Sequence, residues 1–276
     1  GRTLHQLYEW AHTPWEWHAE MFAYAKNVGI TLFSTPFDDT AVTFLEKLNT
    51  PAYKIASFEC TDLNLIKRVA STNKPLIIST GMANDSEIGE AVETALKFGS
   101  GELTLLHCVS GYPSPAGEYN LRTIADMKNR FGVQVGLSDH TLNNVTAISA
   151  VALGAVMVEK HVTLDRNGGG PDDSFSLEED GLMELCSSTK TAWQSLGEVN
   201  YERTEAEKGN VKFRRSLYYV RALQEGDIIT ENDIRSVRPG FGLPPKYYDK
   251  LIGSKVTMSV EENSPVTLES VNPELD

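Results

Sequence analysis

The chain is poor in cysteine, lacks long apolar runs and has fewer basic than acidic residues. Its three cysteines, Cys60, Cys108 and Cys186, are odd in number and far apart, which fits neither a disulfide framework nor a zinc ligand set. The expectation is three core residues in a protein of a reducing compartment, the cytoplasm. Nowhere do eighteen apolar residues follow one another, so no membrane-spanning helix is expected. The 25 Lys and Arg stand against 38 Asp and Glu, a net charge of −13. Such a chain repels nucleic acid, and an anionic ligand must be met by a local positive pocket. Neither G-x-G-x-x-G nor G-x-x-x-x-G-K-[ST] occurs, which removes the usual phosphate loops of open nucleotide-binding sheets. With 41% hydrophobic and 23% charged residues in 276, disordered and collagen-like classes are excluded.

What is present is a strand–helix rhythm. Short apolar or β-branched runs recur at 30–34, 52–56, 75–79, 103–108, 133–137 and 155–160. Between them lie helical faces, such as Ile88, Ala91, Val92, Ala95 and Leu96 before Gly99, and Leu121, Ile124 and Met127 before Gly132. Leu63, Ile66, Val69 and Ala70 repeat the pattern, and Thr13–Glu16 and Ser176–Glu179 read as capping boxes. Near-continuous apolar strands alternating with helices predict an α/β fold on a parallel sheet. Polar residues gather at the strand ends: Ser34–Thr35, Lys54 with Ser57, Ser79–Thr80, His107 to Tyr112, Ser138–His140 and Lys160–His161. A closed (β/α)8 TIM barrel collects such ends around one mouth, and this is preferred over an open doubly wound sheet. Only six units are visible and residue 1 is Gly, so the barrel, over 1–196, is expected to lack its first two βα units. Residues 197–210 read as a polar linker. Residues 211–276 read as a small β-rich domain, with strand-like pieces at 216–220 and 255–259 and turns at Glu225–Gly226, Pro239–Gly240 and Pro244–Pro245.

His140 and His161 follow adjacent strands, whose ends lie about 4.8 Å apart and can bring two imidazoles onto one ion. A hydrated divalent cation such as Mn²⁺ or Mg²⁺, polarising a carbonyl oxygen, suits two His with open positions. Each His alone fits an ordinary loop hydrogen bond equally well. Lys54 is set in an apolar strand, where an inward ammonium needs an anion. Ser57, Ser79 and Ser138 sit where their hydroxyls can join Lys54 in a phosphate or carboxylate cradle. Snorkelling to the mouth or imine formation are the other readings of Lys54. The loop Arg166–Asp173, with three Gly and a Pro, offers Asp172 or Asp173 to the same mouth. Trp15 and Trp17 read as packing on the barrel exterior or a partner.

The strings Ser-Thr-Pro-Phe-Asp (34–38), Tyr-Lys-Ile-Ala-Ser (53–57), Ile-Ser-Thr-Gly-Met (78–82), Leu-Leu-His-Cys (105–108), Gly-Leu-Ser-Asp-His-Thr (136–141), Glu-Lys-His-Val-Thr-Leu-Asp (159–165) and Gly-Pro-Asp (170–172) occur in this order. They closely resemble the sialic acid synthase family, which condenses phosphoenolpyruvate with an N-acetylated amino sugar. Residues 223–230, Arg238–Gly240 and Leu251–Lys255 resemble the antifreeze-like (SAF) domain of these synthases. Thr13–His18 and 169–177 look most like the pseudaminic acid branch, whose sugar is a 2,4-diacetamido-2,4,6-trideoxy-altrose. The N-acetylneuraminate and legionaminic acid branches are the alternatives.

The resemblance implies that His140 and His161 hold the metal, and that Lys54, Ser57, Ser79 and Ser138, with Thr35 close by, hold phosphoenolpyruvate. Ser110 and Tyr112 fall where the family uses Asn and Tyr toward the ligand. Asp172 matches an acidic residue near the amino sugar, and Arg238 an arginine reaching a neighbouring barrel in a domain-swapped homodimer. A Glu and a Lys on the family's first two strands have no counterpart, so part of the cradle is expected to be lacking. The competing readings are a barrel with an imine-forming Lys54 and a non-catalytic carbohydrate-binding protein.

Overall fold

A computed structural model describes residues 3–271; the last five residues of the expected 211–276 domain lie outside the described residues. The chain divides into two compact units, Gly1–Gly197 and Glu198–Asp276.

The first unit opens with helices α1 (Leu4–Ala11), α2 (Trp15–Val28) and α3 (Asp39–Lys47). Then follow β1 (Tyr53–Ile55), α4 (Leu63–Ala70), β2 (Leu76–Ser79), α5 (Asp85–Phe98), β3 (Leu103–Cys108), α6 (Thr123–Phe131), β4 (Gln134–Asp139), α7 (Val145–Ala152), β5 (Val158–Lys160) and α8 (Glu179–Leu196). The sheet is parallel and its order is β1-β2-β3-β4-β5, without reversal. Right-handed crossovers in one monotonic order put every helix on the same face, so the sheet curls as in a TIM-like barrel and has no switch point. Its outward face packs Ile55, Ile78, Leu105, Val135 and Leu137, all fully buried, against Ile66, Val69, Ala91, Ile124 and Ala147 of the helices. Truncating one of these leucines to alanine costs about 2–5 kcal/mol. Gly136 is required where β4 nears the next strand, since a Cβ there would lie 2.5 Å from the Met157 carbonyl oxygen and 2.7 Å from Leu106.

Several sequence expectations are corrected. Residues 30–34 make no ladder: among the described residues they pair with no strand, and Ile30 is exposed. Without a partner their backbone groups cannot form a strand, whatever their propensity. Helix α2 starts after Pro14 with no side-chain cap, and Ser176 is not a cap because α8 begins only at Glu179, with Glu178 at its N-cap. Reciprocal boxes form instead at Thr3–Gln6, Asn84–Glu87 and Thr204–Glu207. Gly132 ends α6 at φ 67°, whereas Gly99 ends α5 at φ −120°, chosen for closeness, since a Cβ there would meet the Ala95 carbonyl at 2.9 Å. Cys186 is exposed, unlike Cys60 and Cys108, and lines an open cavity with Val158, Leu182 and Trp193. Trp15 stacks on Phe44 with ring centroids 4.5 Å apart, while Trp17 is exposed.

In the second unit the polar stretch at 197–210 includes the helical turn α9 (Glu205–Lys208). Strand β6 (Ser216–Tyr219) pairs antiparallel with β7 (Ile234–Val237), and α10 (Tyr248–Leu251) covers Leu217, Tyr219, Ile229 and Val256. Residues 255–259, expected as a strand, make only isolated bridges, Lys255 to Ile228 and Val256 to Val271. The unit is braced by Asp233, fully buried, which accepts the Thr230 N–H at 2.7 Å and hydroxyl at 2.6 Å and pairs with Arg221. Burial pushes its carboxyl up, but the bonds from Arg221 and Thr230 outweigh that and hold it below the usual range. A depressed carboxyl adds stability above its unfolded value of about 3.9, and loses it as pH falls through the lower folded value. Asp233→Asn should therefore speed amide exchange of Leu217 and Tyr219 about tenfold or more at pH 7, and the gap should close below pH ~4. Equal exchange rates in the two proteins at pH 7 would refute the bracing role.

Candidate functional site

Parallel strands place all their C-terminal ends on one rim. There a cavity of about 370 Å³ is lined by Thr35, Phe37, Lys54, Ser57, Ser79, Tyr112, Ser138, His140, Glu159 and His161, among others. A larger cavity of about 900 Å³ lies at the opposite ends of the strands, against Pro75, Glu102 and Gln134. Of the charged groups only Glu102 and Lys128 line it, so it lacks the convergent polar set that chemistry requires.

One side of the rim cavity gathers an ammonium, a carboxylate and serine hydroxyls. The Lys54 side chain is 8% exposed, and its Nζ lies 3.4 Å from Glu159 Oε2. Ser138 donates to the other oxygen, Glu159 Oε1, at 2.8 Å. The internal carboxylate offsets the desolvation of the ammonium, which the sequence reading had left to a ligand. Ser79 Oγ is buried and has no hydrogen-bond partner. An orphaned buried hydroxyl costs about 1–3 kcal/mol, and this one belongs to a residue lining the cavity. Ser57 Oγ accepts the Gly81 N–H at 3.1 Å and lies 3.4 Å from Cys108 Sγ. Next to it, Glu59 has a buried, unpartnered Oε2, and burial raises its carboxyl above the ordinary range.

The other side holds two imidazoles with ring centroids 5.3 Å apart. His140 Nδ1 is 2.9 Å from the Val109 carbonyl. A carbonyl only accepts, so Nδ1 carries the hydrogen, and in the neutral ring Nε2 keeps its lone pair. The His140 backbone N–H donates to the hydroxyl of fully buried Tyr119 at 2.7 Å. His161 Nδ1 lies 3.3 Å from Asp172 Oδ2, which by the same logic leaves its Nε2 free. Burial lowers the His161 pKa, with the Asp172 charge opposing it. Tyr112 stands 4.4 Å from His140 and Phe175 5.1 Å from His161, centroid to centroid. The two Nε2 atoms offer a pair of nitrogen donors of the kind a divalent cation takes. Among the described residues no group of three or more His, Cys, Asp or Glu comes together for a metal, so a cation on this pair would have to complete its shell with other oxygens.

Of the residues singled out in the sequence, Thr35, Lys54, Ser57, Ser79, Tyr112, Ser138, His140 and His161 line the cavity together. Asp172 stands behind His161, whereas Asp173 is spent inside its loop, accepting from the Gly170 N–H and the Thr163 hydroxyl. Ser110 packs near Cys108, at 3.9 Å, and is not among the lining residues. Arg238 belongs to the second unit, just after β7. The sequence reading missed Glu159, Phe175 and Tyr119. Glu159 was available from alternation: residues i and i+2 of a strand share a face, so a cavity-facing His161 implies a cavity-facing Glu159, as His140 implies Ser138.

A curled βα sheet with a rim cavity of Lys, Ser and His at the strand ends is the architecture of a TIM-barrel enzyme. The chain belongs to the NeuB family, which it matches over residues 1–201, and it carries a SAF domain over residues 214–272. It is 39% identical over 276 residues to the pseudaminic acid synthase of Helicobacter pylori, covering 99% of this chain and 80% of that one. Against the pseudaminic acid synthase of Campylobacter jejuni (serotype O:23/36) identity is 40% over 260 residues, covering 94% and 76%. Among solved structures, a putative spore coat polysaccharide biosynthesis protein E from Chromobacterium violaceum superposes with a TM-score of 0.73 at 26% identity, covering 96% and 81%.

Gly81 tests the tightness of the Lys54 side. A Cβ there would lie 2.1 Å from Ser110 Oγ and 2.8 Å from Ser57 Oγ, so both hydroxyls must move. Gly81→Ala is expected to weaken phosphoenolpyruvate binding about tenfold or more while costing about 1–3 kcal/mol of stability. Calorimetric titration showing unchanged affinity would mean that Ser57 does not reach the ligand.

Proposed function

We propose that this chain carries the site of a pseudaminic acid synthase, joining phosphoenolpyruvate to 2,4-diacetamido-2,4,6-trideoxy-altrose with release of phosphate. The observation that carries the reading is the meeting of buried Lys54 and the orphaned Ser79 hydroxyl with two imidazoles around one cavity. The choice of sugar is supported by the 39–40% identity to pseudaminic acid synthases.

In this reading C3 of phosphoenolpyruvate attacks the aldehyde carbon of the open-chain sugar and forms the new C–C bond. Water adds to the cationic C2, and the tetrahedral intermediate expels phosphate. Lys54, Ser57, Ser79 and Ser138 hold the anionic oxygens in fixed positions, with Thr35 at the rim, so that little reorganisation is needed as charge moves. Glu159 gives up part of its hold on Lys54 as the ligand's oxygens arrive. His140 and His161 would hold a divalent cation, Mn²⁺ or Mg²⁺, which when bound supplies Lewis acidity toward the sugar's carbonyl oxygen. Asp172 keeps His161 in the tautomer that leaves Nε2 free and serves the amino-sugar side, with Tyr112 beside it. The roles of Ser110 and Arg238 toward the ligand, and the homodimer, rest on the family resemblance alone.

The test is a phosphate-release assay with phosphoenolpyruvate and each candidate sugar. Turnover is expected with the altrose derivative and not with N-acetylmannosamine; the reverse pattern overturns the sugar assignment. Lys54→Met should raise the phosphoenolpyruvate KM about 10–100-fold. His140→Ala and His161→Ala should each lower turnover about 100-fold or more with the fold intact. Near-normal, chelator-insensitive activity in both His variants would sink the metal assignment.

A further inference from the structure

The β4–β5 ladder stops at the rung Asp139↔Lys160. Each imidazole is attached one residue beyond that rung, so backbone pairing does not fix the distance between them. What crosses the gap is an ion pair: Lys160 Nζ lies 2.7 Å from Asp139 Oδ2, with the side chains 3% and 0% exposed. The ammonium also donates to the Thr141 carbonyl at 2.7 Å and the Asn143 carbonyl at 3.0 Å. Its three hydrogens are thereby used, two of them on the loop that follows His140. Asp139 Oδ1 accepts the Thr141 N–H at 2.8 Å, tying the same loop to the other oxygen.

Stability does not explain this arrangement. An apolar pair of similar volume in such a place is often as stable as a buried ion pair, because both charges lose their water. A directional, fully hydrogen-bonded pair does what an apolar contact cannot: it sets the loop's position against the neighbouring strand.

We propose that the buried Asp139–Lys160 pair is the positioning device that sets the separation and orientation of His140 and His161 for a shared cation. The inference rests on the reading of the two imidazoles as cation ligands. Asp139 and Lys160 are positioning residues: Lys160 lines the rim cavity, but its ammonium is spent on Asp139 and the loop after His140.

The test is the double variant Asp139→Asn/Lys160→Met, which removes both charges but keeps an acceptor for the Thr141 N–H. Co²⁺ binding is followed by visible absorption, phosphoenolpyruvate binding by calorimetry, and the two imidazoles by their ¹⁵N resonances. Co²⁺ affinity is expected to fall about 10–100-fold. Phosphoenolpyruvate affinity without metal should change less than about threefold, since Lys54, Ser57 and Ser79 hold it independently. The His140 and His161 resonances should shift in the metal-free protein. A folded variant that binds Co²⁺ as the wild type does, or that loses both ligands equally, overturns the proposal. Should wild-type protein take up no Co²⁺, the cation reading fails. The pair is then judged by the resonances: unchanged imidazoles refute it, and shifted ones support it. If the double variant does not fold, Lys160→Arg keeps the charge pair while displacing the contacts to Thr141 and Asn143, and is read by the same measurements.

Discussion

An ammonium group cannot be withdrawn from water unless carboxylate or carbonyl oxygens take over its hydration, and the rim site is organised around two such groups. Lys54 on β1 is met by Glu159 on β5, and Lys160 at the end of β5 by Asp139 at the end of β4. The pairs differ in what they leave free. Asp139 and Lys160 satisfy each other and the adjoining loop completely, so their geometry is closed. Glu159 is 41% exposed in its side chain and Ser79 has no partner at all, so the Lys54 side is open to an incoming anion. A closed pair beside an open one separates structural support from binding within a few ångströms.

The curl of the sheet makes the Lys54–Glu159 pair possible. Because each strand adds beside its predecessor, β1 and β5 stand at opposite edges of the sheet in the order of pairing, yet Lys54 reaches Glu159 across the rim. A flat sheet would hold four inter-strand spacings of about 4.8 Å between them. The 3.4 Å contact is therefore a direct consequence of curvature, which brings residues of β1, β2, β4 and β5, and Tyr112 of the loop after β3, to one cavity.

Much of this was legible in the sequence because strands carry a simple code. Polar residues after apolar runs marked the strand ends, and Lys54, Ser79, Ser138, His140 and His161 were found that way. Helix faces such as Ile88, Ala91, Val92 and Ala95 were equally plain, and all four are buried. The failures came where a local pattern needs a partner that sequence does not name. Residues 30–34 have strand propensity but form no ladder, and Ser176 has cap chemistry but lies two residues before Glu178, the N-cap of α8. Glu159 stood in plain view within the Glu-Lys-His string, yet its role depends on Lys54, 105 positions earlier. Long-range pairing of that kind is set by topology and carries no local signature.

The central claim is that a divalent cation and phosphoenolpyruvate occupy one cavity together, the first on His140 and His161 and the second on Lys54 and its serines. The most direct measurement is the ³¹P relaxation of phosphoenolpyruvate bound to the protein loaded with Mn²⁺, whose unpaired electrons relax nearby nuclei steeply with distance. The account predicts strong paramagnetic relaxation of the phosphorus in wild-type protein and its loss in a His140→Ala/His161→Ala variant that still binds phosphoenolpyruvate. Saturating Mn²⁺ and phosphoenolpyruvate with no paramagnetic effect on the phosphorus would place the two in separate sites and contradict it.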